Sequence, residues 1–121
     1  MVVLVSLTLV ASKTKESDSD ALNRFKADQA IAPVIKYPVT DLRGRHIPRF
    51  DYLLVFPQCE SCSDFRKKAK KFMESKPEYT FLILTPDMKE SKDLLTHNRY
   101  FVFQFDSKSE YAKIPAGRYV R

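Results

Sequence analysis

The sequence predicts an α/β domain with a largely parallel central sheet flanked by helices, and three observations carry that expectation. Residues 52–56 (YLLVF), 79–84 (YTFLIL) and 100–105 (YFVFQF) are short apolar runs, the mark of strands buried on both faces. Between the first two the period changes: Phe65, Ala69, Phe72 and Met73 recur at i, i+4, i+7 and i+8, one face of a helix over residues 63–75. Strands that alternate with helices imply crossover connections, and crossovers imply parallel neighbours.

Taken in chain order, the elements begin with residues 2–11 (VVLVSLTLVA), almost continuously apolar and followed at once by polar, charged sequence. At about ten residues this run is too short to span a bilayer, which needs roughly 20. It has the length of an export signal's apolar region, and Val10-Ala11-Ser12 is an acceptable small-residue exit. No Lys or Arg precedes it, so a clipped anchor or a buried strand are the other readings. Residues 1–12 are therefore expected to be a signal or membrane anchor, and the protein extracytoplasmic, where disulfides persist. Residues 13–36 read as a linker with a weakly periodic helix over 21–30, and residues 37–121 as the domain.

Gly44 marks a turn within residues 41–47 (DLRGRHI), and Pro57 closes the first strand. The helix that follows is stopped by Pro77. Residues 88–98 are expected to form a second, weaker helix around Leu94 and Leu95. Ile114-Pro115 leads into a short extended piece over 118–121.

Composition narrows the function. The chain has 121 residues, enough for one domain. With two glycines it has no glycine-rich phosphate loop, which removes the simplest nucleotide-binding readings. The net charge is +6, and residues 63–76 alone carry +4, from Arg66, Lys67, Lys68, Lys70, Lys71 and Lys76 against Asp64 and Glu74. Nucleic-acid faces interleave aromatics with the basic groups. Here Phe65 and Phe72 fall on the other side of the helix, so no nucleic-acid partner is expected and the cations read as a solvated face.

Cys59-Glu60-Ser61-Cys62 follows a buried strand and opens a helix. In a first helical turn, i and i+3 side chains lie close enough to close a disulfide. The positive end of the helix favours a thiolate. Cys59 would then be the nucleophile and Cys62 the resolving thiol. Glu60 opposes this slightly by placing a negative charge between them. A zinc half-site, a copper-carrier site and a purely structural pair are the alternatives. Zinc would need two more ligands, and only His46 and His97 exist, at no recognised spacing. No metal and no cofactor is expected, and both histidines read as solvated or locally bonded.

The succession of strand, C-x-x-C, helix, strand, helix, strand and Ile-Pro resembles the thioredoxin-like superfamily. Residues 41–121 are most similar to its exported or membrane-anchored thiol–disulfide oxidoreductases, related to the alkyl hydroperoxide reductase/thiol-specific antioxidant group. The carriers are residues 41–47, matching D-L-x-G-x-x-h with h apolar, the strand before the cysteines, and residues 111–115 (YAKIP). The resemblance implies catalytic Cys59 and Cys62, and a cis Pro115 that lines a substrate groove together with Ile114. It implies a protein disulfide or dithiol as partner, and a fold here short of its last strand and C-terminal helix. Gln58 and Ser61 stand where the family usually has Trp and often Pro. Phe56 stands at the threonine of peroxiredoxins, which counts against that activity. A trans bond before Pro115 would favour a rival of another class, a non-catalytic partner-binding module with a structural disulfide.

Overall fold

The computed structural model describes residues 25, 28–30, 36–57, 63–89 and 91–120. Strands β1 (Gln29–Ala30), β2 (Tyr52–Val55), β3 (Phe81–Thr85), β4 (Tyr100–Gln104) and β5 (Gly117–Val120) form one sheet in the order β1-β5-β2-β3-β4. Helix α1 (Ser63–Glu74) joins β2 to β3. β2, β3 and β4 are mutually parallel, and β1 is parallel to β5, but β5 runs antiparallel to β2. The protein is thus α/β with a mixed sheet, which corrects the expectation of a largely parallel one. The reason is topological: β4 and β5 are joined by a short connection holding one 3₁₀ turn, and β5 crosses the sheet to enter beside β2.

The three apolar runs do what their composition dictates. Alternate side chains fall on opposite faces, and the register aligns Leu54, Ile83 and Val102 on one face, with Leu53, Leu82 and Phe101 on the other. The first set joins Phe65, Ala69 and Met73 of α1 in one buried cluster, which Phe25 also enters. The second packs under Ile47, Phe50, Phe105 and Tyr119. That second face is covered by loops and strand ends, among the described residues, and not by a helix. Within the stretch read as a linker, Phe25 is buried and Gln29–Ala30 pairs with β5.

The helix expected over 88–98 is a 3₁₀ turn, Lys92–Thr96. Its apolar residues Leu94 and Leu95 are adjacent, and adjacent positions do not share a helical face. Leu94 is the buried residue of the turn, with Met88 and Leu95 only partly buried against the same cluster.

The turn over 41–47 is held by charge. Asp41 has a fully buried carboxylate, which accepts the backbone N–H groups of Arg43 (3.0 Å) and Arg45 (2.8 Å) and the Arg45 Nε–H (3.0 Å). The two guanidinium groups then donate to carbonyls at the start of β4. Arg43 reaches Leu95, His97 and Tyr100, while Arg45 reaches Asn98 (3.0 Å) and Tyr100 (2.8 Å) and lies over the Phe101 ring. Gly44 sits at φ +78°, a conformation open to glycine without steric cost. Leu42 donates its N–H to Val102 (2.9 Å), which partly closes the outer edge of β4.

Candidate functional site

The expected redox pair, Cys59 and Cys62, lies outside the described residues. Its two attachment points are described. β2 ends at Val55, and the strand continues as Phe56, whose N–H bonds Leu84 (2.8 Å), into buried Pro57. On the far side α1 begins at Ser63. Phe56 and Phe65 meet edge to face at 5.6 Å, and Phe25 packs on Phe65 at 5.0 Å. The strand end and the first described turn of the helix are thereby held together, and residues 58–62 connect them.

β5 brings the second expected element to this end of the sheet. Its antiparallel register sets Gly117 opposite Val55, so Ile114-Pro115, just before Gly117, stands at the end where the chain leaves β2. This proximity follows from the antiparallel pairing. A parallel β5 would have carried Gly117 to the opposite end.

The peptide bond between Ile114 and Pro115 is trans: no cis bond occurs among the described residues, which corrects the cis expectation. Local bonds shape the segment instead. Ile114 caps a 3₁₀ turn (Glu110–Lys113), donating its N–H to Tyr111 (3.2 Å), and extends at φ −81°, ψ 124°. Its side chain packs in the cluster on the face away from α1, while Pro115 is exposed and its carbonyl accepts the Tyr119 hydroxyl (2.5 Å). Ser109 caps the turn by accepting the Tyr111 N–H (3.1 Å), and the Tyr111 hydroxyl donates to the Lys36 carbonyl (2.7 Å).

The basic segment is not one solvated face. Arg66 is 7% exposed. Lys70 pairs with Asp93 at 2.7 Å, and Lys76 sits over the rings of Phe72 and Tyr79. Lys67, Lys68 and Lys71 are exposed. The burial of Arg66 was legible in the spacing, since Arg66, Ala69 and Met73 share a stripe at i, i+3 and i+7. Its charge concealed it.

The opposite end of the sheet carries a shallow cavity of 210 Å³ lined by Lys70, Glu74, Asp93, Leu94, Thr96, His97 and Tyr100. Tyr100 opens β4, in register with Phe81 and Tyr52 at the starts of β3 and β2, so this cavity is remote from Pro57 and the cysteine segment. His97 stacks on Tyr100 at 4.1 Å. Burial, and secondarily the charge of Glu74, push the Tyr100 hydroxyl above its ordinary pKa. His46 is exposed and bridges Thr40 through its backbone. Neither histidine joins a metal-ligating cluster among the described residues, and no described helix is long and apolar enough to cross a membrane.

No protein-family profile, curated protein or solved structure matches the chain.

Proposed function

We propose that the protein is a thiol–disulfide oxidoreductase with a thioredoxin-like fold, exchanging disulfides with protein or small-thiol partners through Cys59 and Cys62. One observation carries the reading. The C-x-x-C occupies the short connection between a strand buried on both faces and the helix that packs on it, at the sheet end where β5 also enters. A helix start offers unpaired amides and the positive end of the dipole to a nearby sulfur.

In the substrate-reducing direction the Cys59 thiolate attacks one sulfur of a partner disulfide. That S–S bond breaks, one partner thiolate leaves, and a mixed disulfide forms. The Cys62 thiolate then attacks the Cys59 sulfur and expels the second partner thiolate. The partner gains two electrons, and the Cys59–Cys62 disulfide holds the oxidising equivalent. The reverse sequence oxidises a partner dithiol. Ile114 and Pro115 would flank the bound partner, and residues 1–12 would export or anchor the domain to an oxidising compartment.

The trans bond before Pro115 favours a second reading, the non-catalytic partner-binding module with a structural disulfide. Equilibration with glutathione or dithiothreitol buffers separates the two. A working pair exchanges near ordinary cellular potentials, whereas a structural disulfide resists reduction until below about −300 mV. In the first case a Cys62→Ser variant accumulates mixed disulfides and Cys59→Ser does not. Resistance to reduction, with no mixed disulfide from either variant, would establish the module.

A further inference from the structure

We infer that the cavity between α1, the Lys92–Thr96 turn and the start of β4 binds a small organic cation, an alkylammonium whose head is received by Glu74 and Tyr100. The site lies at the sheet end opposite the cysteine segment and does not depend on the redox reading.

Tyr100 is 5% exposed, yet its hydroxyl has no hydrogen-bond partner among the described residues. Buried polar groups are nearly always hydrogen-bonded, and a tyrosine hydroxyl left alone forfeits that stabilisation. The ring is fixed, with His97 stacked on it at 4.1 Å and Phe81 meeting it edge to face at 5.7 Å. Tyr100 lines the cavity together with Glu74. Burial first, and then the charge of Glu74, raises the Tyr100 pKa, so the carboxylate acts on this hydroxyl. The hydroxyl stays protonated at neutral pH, and its oxygen retains lone pairs that an ammonium can use.

The sign of the ligand follows from the charges. One lysine, Lys70, and two carboxylates, Glu74 and Asp93, line the cavity. Lys70 and Asp93 pair at 2.7 Å, which leaves Glu74 without an ion partner among the described residues. Glu74 is also the last residue of α1, where the partial negative charge of a helix end disfavours an anion and attracts a cation. The other cations nearby are engaged elsewhere. Lys76 sits over the rings of Phe72 and Tyr79, and Arg99 donates to the Glu78 carbonyl (2.8 Å). Arg43 and Arg45 share Asp41 and bind carbonyls between Leu95 and Tyr100. Those bonds fix this wall of the cavity before any ligand arrives, which reduces the ordering cost of binding. Leu94 and the Tyr100 ring offer apolar contact to a hydrocarbon tail. A cavity of about 150 Å³ encloses benzene, so the 210 Å³ here has room for an ammonium on a five-carbon chain.

The experiment titrates n-pentylammonium chloride into the full-length protein at neutral pH and follows the backbone amide shifts by two-dimensional NMR, with sodium chloride at matched ionic strength as reference. Shifts of residues 94–100 should saturate with a dissociation constant on the order of 1–10 mM, within reach of so small a ligand. Glu74→Gln should weaken binding about tenfold or more, as loss of a hydrogen bond to a charged group does. Tyr100→Phe should weaken it about two- to tenfold, as loss of a neutral one does. Glu74 is exposed and phenylalanine keeps the Tyr100 ring, so both substitutions spare the core. Pentanoate, the same length of chain with an anionic head, should give no saturable shift. Shifts that only grow linearly to about 100 mM overturn the inference, since binding that weak gains nothing from the carboxylate. Equal affinity for pentanoate, or unchanged affinity in either variant, overturns it as well.

Discussion

Two turns frame the sheet, and the same resemblance marked both, yet they are built by different physics. The turn at 41–47 is centred on a buried carboxylate, and its arginines bind carbonyls 52 to 57 residues away in the chain. The segment at 109–115 is held by neutral bonds within a few residues, plus the Tyr111 and Tyr119 hydroxyls. The first locks the start of β4 and the turn before it. The second leaves Pro115 exposed beside the end of β2. The difference teaches where this fold is tied across the sheet by charge and where a segment is shaped only by its own local bonds.

Asp41→Ala should break that contrast most severely. It strips two backbone amides and the Arg45 guanidinium of a buried acceptor and the Arg43 guanidinium of its ion partner, and urea unfolding should show a loss of about 2–4 kcal/mol. A loss below about 1 kcal/mol would show that water replaces the carboxylate and that the two turns do not differ in kind. Gly44→Ala comes next. No atom lies within 4 Å of the added carbon, so the cost is the positive φ alone, about 1–2 kcal/mol. Gly44→Asn should cost less, because asparagine tolerates this region. Equal stability of all three proteins would show that the Asp41 bonds do not impose the turn.

The smallest effect belongs to the second turn. Tyr111→Phe removes one exposed hydroxyl bond and should cost about 0.5 kcal/mol at neutral pH. Its pH dependence sharpens the comparison. Burial, then the charge of Glu110, raises the Tyr111 pKa above its ordinary 10.0. The unfolded chain loses that proton first, so stability is intact below pH 10 and falls as pH rises through the folded value. The parent should therefore lose stability above about pH 10 more steeply than Tyr111→Phe, in which only Tyr52 and Tyr100 among the raised tyrosines remain. Parallel curves for the two proteins would deny Tyr111 a shifted titration.

The sequence by itself determined the parts whose cause is local. Apolar runs with side chains alternating between two faces made β2, β3 and β4. The stripe of Phe65, Ala69 and Met73 made α1, and Pro57 and Gly44 marked an end and a turn. Leu94 and Leu95 misled because a pair of adjacent leucines carries no period. Tertiary structure decided what depends on partners far along the chain. It set β5 antiparallel beside β2, and that direction, invisible in a four-residue run, brings Pro115 to the cysteine end. It turned Asp41 and two arginines from motif letters into a charged clasp on β4. It also took Arg66 out of solvent beside five other cations of the same segment. Periodicity records which side of an element faces the core, but strand direction and charge pairing are settled only when distant segments meet and desolvate one another.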